Sequence, residues 1–376
     1  MIHNFIHACA GAGKTEHIVQ RCANSANQNK RLVITLTDSG QEELISRLST
    51  VCTTSQMPDV MGWYAFMIKH YVRPYLPILF PSVRPTGFIF NRNMHPNGHY
   101  KLSGNRRYFS SNGSIYKETL PELAVKVAEA MQGAVEKRLS RIYDEIIIDE
   151  VQDISRKSLD IIERLLAQAK PHLTLVGDVR QSLLDSDQTS SKNRNADRLG
   201  LINWYRSHES AGRLEIKELC ETWRSNQKIA DFSDSIFPRK LEFTPTRSQN
   251  HTVTGHDGIF LVHERHLATY LERYQPMPLR SSKASGKLLS DLKFKNIGTV
   301  KGLTYERVII FPTIPMLKLI AEGKPLADKS ACLFYVGITR ARASVAIIVN
   351  DKTLTKNLRE HPFIPISIWS PDYSEQ

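Results

Sequence analysis

Apolar residues fall into two rhythms along this chain. Short runs are continuous rather than alternating: Phe5-Ile6-His7-Ala8, Leu32-Val33-Ile34-Thr35-Leu36-Thr37, Glu145-Ile146-Ile147-Ile148, Leu173-Thr174-Leu175-Val176, Gly258-Ile259-Phe260-Leu261-Val262, Val308-Ile309-Ile310-Phe311 and Val345-Ala346-Ile347-Ile348-Val349. A strand that is apolar at successive positions has both faces covered, as in a parallel sheet between helical layers. Between the runs, stretches such as Lys14 to about Ala23 and Gln41 to Leu48 have helical spacing. The pattern predicts an α/β protein with mainly parallel sheets. Two regions break the rhythm. Residues from about 74 to 114 are rich in Pro, Asn, Arg and aromatics and read as an insertion or small subdomain. Residues from about 238 to 290 carry Pro, Ser, Gly and Thr around the single strand at 258–262.

Composition narrows the class. A length of 376 residues suits two or three domains, and 41% hydrophobic with 23% charged residues excludes a disordered chain. No apolar run approaches the roughly 20 residues of a membrane helix. The start, Met1-Ile2-His3-Asn4-Phe5-Ile6, lacks the pattern of a secretory leader. Cys9, Cys22, Cys52, Cys220 and Cys332 are odd in number and have no CxxC spacing, which fits a reducing cytoplasm and argues against zinc or a disulfide framework. The net charge of +12 suits a polyanionic partner, although solvated surface lysines produce the same excess.

Between the first strand and the first helix lies Ala8-Cys9-Ala10-Gly11-Ala12-Gly13-Lys14-Thr15, a Walker A pattern with Ala8 at its first glycine position. Glycines let backbone amides wrap a phosphate at the positive end of a helix. Ala10, Gly11, Ala12 and Gly13 supply that loop, Lys14 a cation for the β- and γ-phosphates, and Thr15 a hydroxyl for Mg²⁺. A tight glycine turn is the plainer reading. Asp149-Glu150-Val151-Gln152-Asp153 closes another apolar strand. Carboxylates there are costly unless a cation or donors meet them. Asp149 suits Mg²⁺, and Glu150 suits orienting and deprotonating an attacking water. A helix N-cap at Asp149 or Asp153 would explain only one of these acids.

With these two segments, the chain resembles the UvrD/Rep/PcrA group of superfamily 1 helicases. Asp149 to Asp153 is similar to the DExQD motif, Gly177-Asp178-Val179-Arg180-Gln181-Ser182 to GDxxQS, and Glu221-Thr222-Trp223-Arg224-Ser225-Asn226 to the fourth motif. Gly298-Thr299-Val300-Lys301-Gly302-Leu303-Thr304-Tyr305 resembles the fifth, and Tyr335-Val336-Gly337-Ile338-Thr339-Arg340-Ala341-Arg342 the sixth. The resemblance implies two RecA-like P-loop NTPase domains. The first spans 1–208 with a short 1B-like insertion at about 65–140; the second spans 209–376 with a reduced 2B-like insertion at about 239–290.

It also implies roles. Gln181 contacts the γ-phosphate, Arg224 and Arg340 are arginine fingers from the second domain, and Trp223 stacks on adenine unless it is a core aromatic. On the DNA side, Thr37 bonds a phosphate, and Trp63 or Tyr64 stacks on a base unless both pack in the core. Lys301 and Thr304 approach the strand backbone. After Ser182, Leu183, Leu184 and Asp185 replace the family's stacking aromatics. Arg73, Arg84, Arg92, Arg106 and Arg107 are candidates to track phosphates from the insertion, or form a solvated basic face. The family's glutamine-bearing adenine motif does not precede the first strand.

The function implied is an ATP-dependent, Mg²⁺-requiring helicase or translocase on single-stranded DNA, or DNA with single-stranded ends, moving 3′ to 5′, in repair or anti-phage defence. The reduced insertions resemble the helicase-like subunit of Gabija, which suggests a nuclease partner of the OLD-family kind. The alternative is an ATPase switch that senses DNA or nucleotide and regulates such a nuclease without processive unwinding. A cytoplasmic protein without a membrane partner is expected.

Overall fold

Two six-stranded sheets, each wholly parallel, organise the molecule. A computed structural model describes residues 2–24, 29–89, 102–183, 199–283, 285–286, 289, 292–354, 358–359, 364 and 366–372. The first sheet contains β1 (His3–Ala8), β2 (Arg31–Thr35), β3 (Asp59–Gly62), β4 (Glu145–Ile148), β5 (His172–Gly177) and β6 (Leu214–Leu219), in spatial order β3-β2-β4-β5-β1-β6. The second contains β7 (Gly258–His263), β8 (Met277–Arg280), β9 (Lys295–Asn296), β10 (Tyr305–Phe311), β11 (Ala341–Val349) and β12 (Ser367–Trp369), ordered β9-β8-β10-β11-β7-β12. This is an α/β fold of two RecA-like units.

Successive side chains of a strand point to opposite faces, so the continuous apolar runs feed two helical layers. On one side of the first sheet, Ile6, Val33, Ile147 and Val176 meet Ile18, Val19 and Cys22 of α1 (Lys14–Ala23) and Leu44 and Leu48 of α2 (Asp38–Val51). On the other, Phe5, Leu32, Ile34, Ile146, Ile148 and Leu175 join α3 (Leu120–Ala130), α4 (Ala134–Ile142), α5 (Arg156–Leu166) and α6 (Leu201–Ser210). The second sheet repeats the scheme. Ile259, Leu261, Val308, Ile310, Val345 and Ile347 pack with α7 (Gln227–Ser235), while Phe260, Val262, Ile309 and Ile348 face α8 (Leu267–Tyr274). Helices α9 (Ile314–Glu322) and α10 (Asp328–Ile338) complete the second unit. One apolar cluster includes Val179 and Phe5 of the first unit and Phe237, Phe334 and Tyr335 of the second, so the two are packed together.

Several expected boundaries move. β2 stops at Thr35, because Thr37 turns out to accept the Gly40 amide at 3.1 Å and caps α2 three residues before the expected start. β6 pairs with β1, so the first unit runs past the expected division at 208/209. The expected insertion at about 239–290 contains β7, α8 and β8, which belong to the second unit's core; an insertion there is confined between Arg280 and Lys295. The expected insertion at about 65–140 likewise includes α3 and α4, whose Leu120, Leu123, Val127, Val135 and Leu139 are buried in the main core. Within that span a two-residue strand pair, Phe88–Ile89 with Ile115–Tyr116, lies outside the six-stranded sheet, although Ile115 also joins the main core. Arg92 lies outside the described residues.

Candidate nucleotide site

The loop from β1 to α1 is shaped by two left-handed glycines, Gly11 at φ 82° and Gly13 at φ 76°. A Cβ on Gly11 would lie 2.6 Å from Thr222 Oγ1 and 2.7 Å from Arg224 Cβ, so both conformation and close approach demand glycine. Gly13 is the N-cap of α1 and offers no side-chain cap. The first amides of that helix therefore have no intrahelical acceptor and suit an anion.

Lys14 stands on the first turn of α1, with Nζ 3.4 Å from Glu150 Oε1. Glu150 follows β4 in the left-handed region, φ 50° and ψ 38°, a conformation costing on the order of 1 kcal/mol for a residue with a Cβ. Its carboxylate also accepts from the Gln152 amide and lies 3.3 Å from Lys301 Nζ. Burial opposes its charge, but Lys14 and Lys301 prevail and hold Glu150 well below the usual carboxylate range. The buried Asp149 moves the other way. Burial, and then the neighbouring Glu150 charge, push it up to about 7.

The capping explanation for these acids fails at Asp153. α5 is capped by Ser155, whose hydroxyl accepts the Ser158 amide at 3.3 Å, whereas Asp153 pairs with Lys301. Gln152 has a role of its own. Its Oε1 accepts the Asp178 amide at 3.1 Å and its carbonyl accepts the Ser182 hydroxyl at 3.1 Å, lacing the ends of β4 and β5 together.

Asp178 and Gln181 lead to the opposite wall. The fully buried Asp178 accepts from the Gln181 amide at 2.9 Å, from Arg180 Nε at 3.0 Å and from the Tyr335 hydroxyl at 3.0 Å. Gln181 Oε1 in turn accepts from Arg340 Nη2 at 3.4 Å. Arg340 is 1% exposed and donates to the carbonyls of Val336 at 2.9 Å and Leu303 at 3.2 Å. Burial first, then Arg224, lower its pKa to about 9, so it still carries its charge at neutral pH. Arg224 donates to the Thr339 carbonyl at 3.1 Å. Trp223 is 67% exposed, and its amide donates to the Gly11 carbonyl at 3.1 Å, so it is not a core aromatic. Thus Lys14, Asp149, Glu150 and Gln181 from one unit face Arg224 and Arg340 from the chain beyond β6. Thr15 sits half-buried beside Lys14.

The residues expected on the strand side do not assemble. Trp63 is 3% exposed, donates its indole N–H to Ser158 Oγ at 3.2 Å and stacks on Phe66, so it is a core residue and not a base platform. Tyr64 is half-buried with the Lys117 ammonium 4.7 Å from its ring centre. Lys301 points into the carboxylate cluster, where Asp153 and Glu150 compensate its charge, rather than out toward a strand. Thr304 is half-buried before β10, and Thr37 is exposed at its cap. Leu184 and Asp185 lie outside the described residues. The sequence reading missed Tyr335, although it lies inside the sixth motif, and Asp234, which pairs with Arg180 Nη1 at 2.9 Å and carries no sequence signal.

Residues 3–186 match a family model described as an AAA domain. Similar proteins include a subunit of the ATP-dependent helicase/nuclease of Oenococcus oeni, 31% identical over 109 residues, covering 28% of this chain and 8% of that protein. The same-named protein of Limosilactobacillus reuteri is 28% identical over 139 residues, covering 37% and 9% respectively. The domain model and these relatives support a superfamily 1 helicase. The chain spans under a tenth of the length of those relatives. Among solved structures, the Arterivirus nonstructural protein 10 helicase aligns with a TM-score of 0.45 and 15% identity, covering 94% of this chain and 61% of that one. Its complex with DNA gives 0.45, 16%, 94% and 62%. Among the described residues, no helix is long and apolar enough to cross a membrane.

Proposed function

We propose that this chain is the ATP-hydrolysing motor of a UvrD-like helicase or translocase acting on single-stranded DNA. The observation that carries it is the convergence on one phosphate loop of a lysine, a carboxylate pair and a glutamine from one unit with the half-buried Arg224 and the buried Arg340 of the other. Lys14 and the α1 amides hold the phosphates, and the exposed Trp223 stacks on the base. Glu150, kept ionised by Lys14 and Lys301, orients the attacking water and accepts its proton. Arg224 and Arg340 meet the charge that grows on the transferring phosphoryl group. Thr15 and Asp149 present hard oxygen donors of the kind Mg²⁺ takes, and the ion would neutralise phosphate charge there. Because the arginines sit on the far wall, turnover requires closure of the two units.

A 3′ to 5′ direction and a nuclease partner follow from the family resemblance. A switch that regulates a nuclease without processive unwinding is the second reading, favoured by the core position of Trp63 and the engagement of Lys301. Steady-state ATP hydrolysis with and without single-stranded DNA, with Lys14→Ala as the blank, tests the proposal. Stimulation by the strand is expected. Turnover indifferent to DNA would favour the switch, and turnover equal in Lys14→Ala would remove the site from hydrolysis altogether.

A further inference from the structure

The Tyr335 hydroxyl sits where three functional segments meet, and none of the roles above uses it. It accepts the Ala10 amide of the phosphate loop at 3.1 Å and donates to Asp178 Oδ2 at 3.0 Å. Its ring lies 5.3 Å from that of Phe237 and 4.9 Å from the Arg180 guanidinium. Tyr335 is also on α10, the helix that leads directly into Arg340. Thr339 Oγ1 donates to the Tyr335 carbonyl at 2.8 Å and accepts from Arg340 Nη2 at 3.3 Å. Arg340 Nε donates to the Val336 carbonyl, one residue beyond Tyr335, at 2.9 Å. The arginine is therefore braced on the turn that Tyr335 anchors. On the loop side, the Ala10 carbonyl accepts the Thr222 hydroxyl at 2.7 Å, so this stretch of the phosphate loop is held through both its N–H and its C=O.

We propose that Tyr335 is a positioning residue for ATP hydrolysis: its hydroxyl ties the helix that carries Arg340 to the phosphate loop and to Asp178. The inference rests on the hydrolysis reading above. Asp178 completes the link, because its second oxygen shares donors between Tyr335 and the Gln181 amide, whose other end meets Arg340. Contrary to the expectation that Ala10 helps wrap the phosphates, its amide is taken by Tyr335, and in the proposed site Lys14 and the first amides of α1 beyond it receive them. Removing the hydroxyl thus leaves nucleotide binding in place and frees the arginine, whose contribution is realised in the transition state.

Tyr335→Phe keeps the ring and its contacts. The expected result is a kcat for ATP lowered by about tenfold or more, with KM and the dissociation constant of a fluorescent ATP analogue within about threefold of wild type. In an Arg340→Lys background the same change should add little, since both act on one brace. An unchanged kcat in Tyr335→Phe, with or without a lower Tm, would overturn the proposal and leave the hydroxyl a purely structural role. A full, multiplicative loss in the Arg340→Lys background would overturn it as well. Absence of turnover in the wild-type chain would overturn the hydrolysis reading first, and this inference with it.

Discussion

The nucleotide cleft and the face expected to meet a DNA strand are built on different principles. In the cleft, polar motif residues are buried and answer one another: Asp178 takes three side-chain donors, Gln152 laces two strand ends, and Arg340 reaches Gln181 across the interface. On the strand side, each candidate has a local task instead. Trp63 fills the core, Thr37 caps α2, and Lys301 balances two carboxylates. A buried charge without partners is costly, so a motif full of charges is interpretable only as a set that meets in one place. A single aromatic or threonine carries no such constraint.

The contrast can be broken at several points. The largest effect is expected in the cleft: Glu150→Gln should lower ATP turnover by about 10²–10⁴-fold while ATP binding persists. Comparable turnover in that variant would take Glu150 out of the base role. On the other side, Trp63→Ala should destabilise the fold by about 3–5 kcal/mol in denaturant titration, with DNA affinity of the folded protein unchanged. Lost affinity at unchanged stability would restore Trp63 as a base platform. Trp223→Ala should raise the KM for ATP by a factor corresponding to about 1–3 kcal/mol of stacking, with no loss of stability because the ring is exposed.

The smallest effect calibrates both regions with an ion cluster outside them. Burial opposes the charge of Glu122, but Arg107, Lys157 and the Tyr108 hydroxyl prevail and bring it down to about 2. A depressed carboxylate contributes stability above its ordinary value near 4.5 and loses it as pH falls toward 2. Glu122→Gln should therefore cost about 1 kcal/mol at pH 7, with the gap from wild type closing over that acidic window. A gap independent of pH would assign the effect to packing.

How much the sequence disclosed follows the same division. Central strands were legible because both faces are buried, as at Ile146-Ile147-Ile148. β6 was missed because it is an edge strand: in Leu214-Glu215-Ile216-Lys217-Glu218-Leu219 exposed polar positions are mixed with apolar ones of which only Leu214 is buried. β7 was seen as a strand but placed in an insertion, because the Pro-, Ser- and Thr-rich segments around it masked its seat between β11 and β12. For the site, the glycine loop and the acid pair were readable from chemistry, and the arginines through the family motifs. Trp63 carried a usable signal, since Trp63, Phe66, Met67 and Tyr71 repeat at helical spacing and all are buried. Asp234 carried none, because its partner Arg180 lies far away in sequence.

The central claim is that residues from both units complete one hydrolytic site. The most direct test is a paired measurement on Arg340→Ala: equilibrium binding of ATP, and the rate of its hydrolysis in a single turnover. Binding within a few-fold of wild type with hydrolysis slowed by about 10³-fold or more is the expected result. Hydrolysis at the wild-type rate would contradict it and confine the chemistry to the first unit.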